Sequence, residues 1–357
     1  MSFAKRVGIS FHRSLEQTGL DTLYIYYFRH RGQRRWAMIE RYLGNGVSEK
    51  EKRHIARRMR YAFLRYGWKF DEYFMWDFEN LTHKERKSFV PDLYKDYFCD
   101  RVNPQEYHKL FMDKGETYKR FSKYYKRNAC VVHSWAQDGQ AFVSFAKDAK
   151  DIIVKPLKES MGNGIKIFRN VDDAIVQVIK DEYPKDFIAE ELIRQVDELS
   201  SLYPNSVNTV RITTLVIGDQ VEIIRPFMKI GRGGCEVDNG GKGGLLCALD
   251  KKVGCITAVK DEMCVNYEVH PDTGEALIGF TLPLWKEAIS MAKELALVIP
   301  ECAYVGWDLA LTDQGWVMVE GNSRGMFVGF QLPEMNGFRA EYDELMKKKM
   351  AYERGTN

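Results

Sequence analysis

Val305-Gly306-Trp307-Asp308-Leu309-Ala310 and, after a short turn, Val317-Met318-Val319-Glu320-Gly321-Asn322 are the stretches that decide the fold. Both are apolar runs with a few polar side chains, and they flank Thr312-Asp313-Gln314-Gly315. This pattern predicts an antiparallel strand pair. Each strand is expected to present an oxygen ligand at one end. Glu320 and Asn322 are two residues apart, so they share a face of their strand.

The oxygen-bearing side chains of this pair predict a metal site. Asp308, Glu320 and Asn322 supply two carboxylates and an amide oxygen. That set suits Mg²⁺, which shares its coordination shell with water and substrate phosphates. We expect Mn²⁺ to substitute, because all the ligands are oxygens. A hairpin with polar ends is the alternative, but polar residues that directly follow an apolar run favour the ligand interpretation.

A glycine-containing loop lies upstream, in Lys155-Pro156-Leu157-Lys158-Glu159-Ser160-Met161-Gly162-Asn163-Gly164-Ile165. A strand ends in a lysine, the loop follows, and a second strand begins. Glycines let backbone N–H groups approach phosphate oxygens, and the lysine neutralises them. The loop differs from GxxxxGK[ST], because its lysine precedes the glycines and no helix follows directly. Taken alone, it also fits an ordinary hairpin.

A third stretch is Phe187-Ile188-Ala189-Glu190-Glu191-Leu192-Ile193, with Glu198 after it. An apolar strand that ends near acids can offer backbone groups to an adenine edge and a carboxylate to a ribose. By itself the strand also fits an ordinary buried strand with no ligand-binding role. After residue 130, strands and helices alternate through the remaining chain, with Gly218-Asp219 as a hairpin turn. The predicted class is α+β with antiparallel hairpins.

Charge is unevenly distributed. Residues 1–130 carry 28 Lys and Arg against 16 Asp and Glu, a net of +12, whereas residues 131–357 carry 25 against 34, a net of −9. The basic part fits a phosphate-rich or acidic substrate or an anionic membrane surface; alternatively, it is the solvated face of basic helices. No nucleic-acid motif accompanies it, so we expect no nucleic-acid partner.

The basic part is predicted to be mostly helical. Ser48 and Glu51 form a capping box, and the helix they open should run to Tyr66 and end at Gly67. Residues 68–100 are predicted to form short helices. The aromatic stretch Tyr24–Arg29 is expected to pack as an arm or as short helices.

Composition limits the class of protein. The chain has 357 residues, 45% hydrophobic and 29% charged, which excludes a disordered chain and a small disulfide scaffold. No run approaches the ~18 apolar residues of a membrane span, and the first residues lack a secretory h-region. The seven cysteines lack CxxC spacing and the seven histidines lack ligand spacing. We therefore expect reduced thiols, no zinc site and a cytoplasmic location.

Four further motifs occur in order along the second half of the chain. They are Ser206-Val207-Asn208-Thr209-Val210-Arg211-Ile212, Gly231-Arg232-Gly233-Gly234 with Asp238-Asn239, His270-Pro271-Asp272-Thr273-Gly274, and Val305-Gly306-Trp307-Asp308. Together with the Glu-x-Asn ending, they resemble the ATP-grasp superfamily over about residues 105–330. The closest resemblance is to the sugar-transfer-associated ATP-grasp family.

The resemblance implies an ATP-grasp fold, in which two α+β subdomains clamp ATP. Its expected layout is a basic, helix-rich N-terminal region (1–104), a first subdomain with the glycine loop (105–200), a second with the metal site (201–335) and a C-terminal helix (336–357). The cofactors implied are ATP and Mg²⁺.

The resemblance also assigns nucleotide ligands. Lys114 and Lys155 match the two phosphate lysines. Glu198 would bind the ribose hydroxyls, with Asp197 as the competing assignment. The remaining positions are those of the phosphate loop and of the adenine-side strand end: Ser160, Gly162 and Gly164 in the loop, and Glu190, Glu191, Leu192 and Ile193 at the strand end.

Basic residues are assigned to the reaction itself. Arg211 falls where the fold has a basic residue near the transferred phosphate; the alternative is a strand arginine in a salt bridge. Arg232 and Arg324 are candidates to stabilise a tetrahedral intermediate. Asp238-Asn239 is followed by Gly240-Gly241-Lys242-Gly243-Gly244, where the family has an aromatic residue and a histidine. We expect this stretch, with Lys242, to line the acceptor pocket. Arg324 follows Asn322 by two residues and should point into the same pocket if the strand continues.

The implied activity is that of an ATP-dependent carboxylate–amine ligase acting through an acylphosphate. The expected substrates are small molecules: an amino acid or amine joined to a sugar acid or another carboxylate, in surface-polysaccharide or related metabolite synthesis. The alternatives are an ATP-grasp kinase, an acid–thiol ligase and a non-catalytic nucleotide-binding module. No Ser or Cys nucleophile with a base is evident.

Overall fold

The computed structural model describes residues 33–159, 163–235 and 243–355. The predicted aromatic arm Tyr24–Arg29 lies outside them. The chain divides into two compact units. The first contains the described residues up to Val102, the segment Lys260–Asn266 and the residues from Arg324 onward, and the second contains Asn103–Val259 and Tyr267–Ser323.

The described residues form twelve helices, numbered here in chain order. They are α1 (Gln33–Leu43), α2 (Glu49–Tyr66), α3 (Glu72–Met75), α4 (His83–Ser88), α5 (Leu93–Val102), α6 (Gln105–Met112), α7 (Lys114–Tyr125), α8 (Trp135–Ala149), α9 (Asp173–Glu182), α10 (Asp197–Leu202), α11 (Trp285–Val298) and α12 (Arg339–Glu353).

The strands of the described chain form two sheets, both largely within the second unit. They are β1 (Ala129–Ser134), β2 (Ile152–Pro156), β3 (Lys166–Phe168), β4 (Lys185–Glu191), β5 (Thr209–Ile217), β6 (Gln220–Ile230), β7 (Leu245–Leu249), β8 (Ile256–Lys260), β9 (Tyr304–Thr312) and β10 (Gly315–Asn322). The small sheet has the order β1-β4-β2-β3, and the large sheet the order β10-β9-β5-β6-β7-β8.

The first unit is helical, as the sequence predicted. Ser48 Oγ accepts a hydrogen bond from the Glu51 backbone N–H at 3.3 Å, and α2 begins there. The helix ends at Gly67, whose φ of 76° is a left-handed conformation that glycine adopts without strain. Trp68 and Trp76 are fully buried behind the helix, with ring centroids 5.0 Å apart. Burial of such large side chains stabilises the helical unit.

The small sheet is built on a compact apolar core. Val132, Ile152, Val154 and Phe187 pack against Phe142 of α8, and all five are buried. Adjacent strands in the sheet are antiparallel, as the hairpin pattern predicted. The predicted α+β class is therefore confirmed.

Strand β4 ends earlier than the sequence suggested. Glu190 pairs with Ala129, the first residue of β1, and the Glu191 N–H donates to the Asn128 carbonyl at 3.1 Å. β1 offers no partner beyond this point, so Leu192 and Ile193 lie outside the strand. The prediction of a strand through Ile193 was wrong by two residues.

The described helices and thiols add two observations. No helix in the described ranges is long and apolar enough to cross a membrane. All seven cysteines lie within these ranges and are free thiols, as expected from their spacing.

Candidate functional site

The register of the large sheet brings Asp308 between two other predicted site residues. On one side Asp308 pairs with Arg211 of β5, and on the other it pairs with Glu320 of β10. Asp308 is 3% exposed and lies within β9, not at its end as predicted, because β9 continues to Thr312. The Arg211 guanidinium donates to both Asp308 oxygens, Nε to Oδ1 at 2.7 Å and Nη2 to Oδ2 at 2.5 Å.

A second cation shares the same carboxylate. Lys229, near the end of β6, donates from Nζ to Asp308 Oδ2 at 3.2 Å. The Asn322 side-chain amide lies 3.4 Å from the same oxygen. Burial would raise the pKa of Asp308, but Arg211 and Lys229 outweigh it and hold that pKa below its ordinary value. Asp308 is therefore ionised and hydrogen-bonded to both cations.

Arg211 was left open between a phosphate-side residue and a strand arginine in a salt bridge. It is a strand arginine in a salt bridge, as the alternative interpretation stated. It also lies beside Gly306, where an added Cβ would come within 3.2 Å of Arg211 Cδ. A larger residue at position 306 would crowd the guanidinium out of its place between β5 and β9.

Glu320 is the carboxylate of this group that is left available. It is half-buried, and within the described residues it accepts no hydrogen bond and forms no ion pair. Asn322 donates its amide nitrogen to Asp308, which leaves its carbonyl oxygen as an acceptor. No group of three or more His, Cys, Asp or Glu side chains that could hold a metal occurs in the described chain.

The oxygen donors suit Mg²⁺ bound together with water and phosphate better than a metal ion enclosed entirely by protein ligands. Magnesium keeps several waters and is commonly held by one or two carboxylates and substrate phosphates. Glu320 and the Asn322 carbonyl supply oxygens of that kind, whereas both Asp308 oxygens are hydrogen-bonded to Arg211 and Lys229. The metal-ligand assignment of these three residues remains a prediction.

The small sheet holds a second buried carboxylate between two cations. Glu190 is 2% exposed. Its Oε1 accepts from Lys155 Nζ at 2.8 Å, and its Oε2 accepts from Arg127 Nε at 2.9 Å. Burial would raise the pKa of Glu190, but the two cations lower it to about 2. Glu190 thus fixes the ammonium group of the predicted phosphate lysine Lys155.

Arg127 is a site residue that sequence reasoning missed. Besides Glu190, it donates from Nη1 to the Tyr125 carbonyl at 3.2 Å and to the Met318 carbonyl of β10 at 2.7 Å. Its guanidinium therefore joins the small sheet to the large one. A lone arginine between α7 and β1 belongs to no motif, so the sequence carried no signal for this role.

Lys114 connects the two groups electrostatically. It is the first residue of α7. Burial lowers the pKa of Lys114, Lys155 lowers it further, and the carboxylates of Glu320 and Glu190 act in the opposite direction. These influences require the groups to be near one another. Lys114 Nζ also donates to the carbonyl of Glu159, at the start of the glycine loop.

The glycine loop is described at its two ends. Ser160 and Gly162, with Met161, lie outside the described residues. Gly164 has a φ of 67°, and an added Cβ there would lie 2.8 Å from Pro156 Cγ. Its carbonyl accepts a hydrogen bond from the Tyr183 hydroxyl at 2.7 Å. Only glycine fits this position, so the chain turns tightly back toward β2.

The predicted adenine and ribose residues have mixed surroundings. The Glu191 carboxylate accepts from the backbone and side-chain nitrogens of Asn128, at 2.9 and 3.0 Å. Leu192 and Ile193 are half-buried in the segment after β4, and Glu198 is exposed on α10. The nucleotide roles of these residues remain predictions.

The predicted acceptor-side residues are spread along the chain. Lys242 lies outside the described residues, as do the neighbouring residues 236–241. Arg232 donates to the Gly243 carbonyl and, at 2.5 Å, to the Tyr267 hydroxyl. The prediction for Arg324 assumed that β10 continues, but the strand ends at Asn322, and Arg324 pairs with Asp100 in the first unit.

The His270 motif is structural. His270 is fully buried, its Nε2 donates to the Gly231 carbonyl at 2.8 Å, and its Nδ1 accepts from the Asp272 N–H at 3.2 Å. Its ring stacks on Tyr203. The histidine therefore fixes the segment that begins with Gly231 and Arg232.

Asn103 supports strands β9 and β10, and it was another residue that the sequence did not predict. This buried side chain accepts from the Tyr304 N–H at 2.8 Å and donates to the carbonyls of Tyr304 and Ser323 at 2.7 and 2.9 Å. It thus links the first residue of β9 to the residue that follows Asn322.

Comparison with known proteins identifies one family. The family model described as sugar-transfer associated ATP-grasp matches residues 94–347. Comparison with curated proteins gave no match.

Several solved structures resemble the chain distantly. A purK N5-carboxyaminoimidazole ribonucleotide synthetase with ADP is 12% identical, with 61% of this chain and 46% of that chain covered and a TM-score of 0.39. The ATP-grasp ligase PsnB with its minimal precursor is 14% identical (76% and 72% covered, TM-score 0.43). D-alanyl-alanine synthetase A from Vibrio cholerae is 12% identical (67% and 63% covered, TM-score 0.41). The match thus spans about half to three quarters of the length of these proteins.

Proposed function

Because the chain belongs to the sugar-transfer-associated ATP-grasp family, we propose that it is an ATP-dependent ligase that joins a carboxylate to an amine through an acylphosphate. The family match covers residues 94–347, well over half of the chain. It confirms the predicted ATP-grasp fold. The ligase reaction and its substrates are our proposal.

The observation that carries the proposal is the grouping of phosphate-type cations with oxygen ligands around Lys114. Lys114 and Lys155 supply two cations, and Glu320 is close enough to Lys114 to influence its pKa. A nucleoside triphosphate carries several negative charges and is bound in proteins by lysines and a divalent cation. Cations and an available carboxylate in one partly buried region therefore support ATP binding here.

The residues that would hold Mg²⁺ are Glu320 and Asn322, with Asp308 as the third candidate. When bound, the metal supplies charge neutralisation for the phosphate oxygens. The chain's own task is to keep these ligands and the lysines preorganised. Buried Glu190 does this for Lys155, because both of its oxygens are hydrogen-bonded to cations.

The reaction itself follows from the chemistry of carboxylates. Oxide is a very poor leaving group, so an amine cannot displace it directly. A carboxylate oxygen attacks the γ-phosphorus of ATP and ADP leaves, giving the acylphosphate. The amine then attacks the acyl carbon, loses a proton and expels phosphate. The protein contributes mainly positioning and neutralisation of charge.

Arg211 and Lys229 are suited to bind the negatively charged groups of this reaction. Both cations are hydrogen-bonded to Asp308, and the Glu320 carboxylate also acts on Arg211 electrostatically. A planar guanidinium suits two hydrogen bonds to a carboxylate or phosphate. We propose that Arg211 contacts the transferred phosphoryl group and that Lys229 assists it. The substrate class expected is an amino acid or amine and a sugar acid or other carboxylate.

Hydroxylamine trapping tests this proposal. The protein is incubated with ATP, Mg²⁺, hydroxylamine and single members of a panel of sugar acids and amino acids, and products are read by mass. We expect ADP release together with a hydroxamate of one carboxylate. A stable phosphate ester would instead identify a kinase. ATP bound without ADP release across the whole panel would favour a non-catalytic nucleotide-binding module.

A further inference from the structure

The outward side of α2 carries an unusual concentration of positive charge. Its exposed cations are Lys50, Arg53, Arg57, Arg60 and Arg65. They recur at steps of three to five residues, and at 3.6 residues per turn they all fall on one side of the helix. No Asp or Glu occurs from residue 52 to residue 70. We call these five residues, with Tyr61 and Leu64, the basic face.

Four of the five cations of this face lack an ion pair among the described residues. The cations of α2 that lie off the face have acidic partners: Lys52 pairs with Glu40 at 2.9 Å, and Arg58 pairs with Glu79 at 2.7 Å. In the part of the chain that the structure describes, Lys50, Arg53, Arg57 and Arg65 form no ion pair. Their charge is therefore available to an external anionic partner.

Two large apolar side chains lie among the cations. Tyr61 is 46% exposed and Leu64 is 49% exposed. On the helix, Leu64 follows Arg60 by four residues and Arg57 by seven, so it lies in the middle of the basic face. An aliphatic side chain there gains nothing from phosphates alone, but it can enter the boundary between lipid headgroups and acyl chains.

We propose that the basic face of α2 binds the surface of an anionic lipid bilayer. The cations meet the headgroup phosphates, and Leu64 and Tyr61 reach the interfacial region. The other side of α2 is already buried, with Met59, Ala62 and Phe63 in the core of the unit. The contact is therefore peripheral, and it involves none of the residues proposed to bind ATP. A nucleic-acid partner is less well matched, because it would leave Leu64 without an apolar contact.

Vesicle sedimentation with the full chain tests this inference. Wild type should bind vesicles of phosphatidylcholine with 30% phosphatidylglycerol and not phosphatidylcholine alone, with binding that weakens as salt rises. Each cation near an anionic surface contributes about fivefold to partitioning. The Arg53→Gln, Arg57→Gln, Arg65→Gln triple variant should therefore bind about 100-fold more weakly. Leu64→Gln should lose about fivefold.

A matched control removes the same charge elsewhere. Lys84, Lys87 and Lys347 are exposed, and changing all three to Gln lowers the net charge by the same amount. That variant should keep wild-type binding to within about threefold. Thermal unfolding of all variants checks that each is folded before binding is measured.

Three results would overturn the inference. The first is absence of binding to the anionic vesicles, and the second is equal binding to both vesicle types. The third is equal weakening by the two triple variants, which would indicate a response to net charge alone. Arginine-dependent binding to duplex DNA or RNA, with none to vesicles, would assign the basic face to nucleic acid instead.

Discussion

Two buried carboxylates, Glu190 and Asp308, each hold two basic side chains. Glu190 is bonded to Lys155 and Arg127, and Asp308 to Arg211 and Lys229. A buried ion is costly unless it is paired and hydrogen-bonded, so each group is stable only as a set. Half-buried Glu320 has no such partner among the described residues, so its carboxylate oxygens are available to a ligand.

Glu320→Gln tests the available carboxylate. The amide keeps the size of the side chain but removes its charge. We expect turnover to fall by about 100-fold or more, and we expect Mg²⁺ to enhance ATP affinity less than in wild type. The melting temperature should change little, because Glu320 forms no ion pair or hydrogen bond with the residues that the structure describes. Calorimetric ATP titrations with and without Mg²⁺ and thermal scans provide the measurements.

Glu301→Gln is the matched control for that substitution, because Glu301 is exposed in the loop before β9. It should leave both turnover and the effect of Mg²⁺ unchanged. Wild-type turnover and wild-type Mg²⁺ dependence in Glu320→Gln would show that Glu320 is not a metal ligand.

Glu190→Gln tests the structural carboxylate. Removing one partner of a buried ion pair should cost about 3–5 kcal/mol of unfolding free energy at pH 7. The pKa of Glu190 is about 2 in the folded chain, against an ordinary value of 4.5. A lowered pKa stabilises the fold above pH 4.5, and this stabilisation is lost as pH falls toward 2. The difference in unfolding free energy between wild type and Glu190→Gln should therefore shrink by roughly 3 kcal/mol over that pH interval.

Urea unfolding of both proteins between pH 7 and pH 3 measures this difference. Glu275→Gln, at an exposed position that forms no ion pair with any described residue, should match wild type throughout. A wild-type advantage that stays constant from pH 7 to pH 3 would contradict the ionised Glu190 pair.

At the scale of helices and strands, much of the fold could be predicted from the sequence, because helix ends and hairpin turns depend on residues that are close together in the chain. Ser48 and Gly67 mark the ends of α2, and Gly218-Asp219 joins β5 to β6, as predicted. Pairing between distant strands left no such signal. Arg211 and Asp308 are 97 positions apart, and only the β5–β9 register makes them neighbours. The sequence therefore indicated the candidate residues of the site but not their partners Arg127 and Lys229.

Asn103→Ala tests whether Asn103 stabilises strands β9 and β10. The substitution removes three buried hydrogen bonds to Tyr304 and Ser323 and leaves their backbone groups unsatisfied. We expect a loss of about 3 kcal/mol of unfolding free energy by urea denaturation. Asn80→Ala, at an exposed position, should cost less than about 0.5 kcal/mol. Equal effects of the two substitutions would show that Asn103 does not support β9 and β10.

At the scale of the whole molecule, the predicted contrast between a basic and an acidic part corresponds to different structural contexts. The basic face of α2 belongs to the helical first unit, whereas the two sheets and the paired carboxylates belong to the second. The family match begins at residue 94, so α1–α4 lie before it. The ligase proposal for the second unit therefore rests on the family match, whereas the bilayer proposal for α2 rests only on the local chemistry of that helix.

ATP binding at Lys155 is the central claim, and calorimetric titration of ATP with Mg²⁺ tests it most directly. Wild type should bind ATP, and Lys155→Ala should bind at least tenfold more weakly, because a charge-assisted contact to phosphate is lost. Lys114→Ala should show a smaller loss. Lys185→Ala, which removes an exposed lysine from the same sheet, should bind like wild type. Wild-type affinity in both Lys155→Ala and Lys114→Ala, with each variant shown to be folded, would contradict the nucleotide site proposed here.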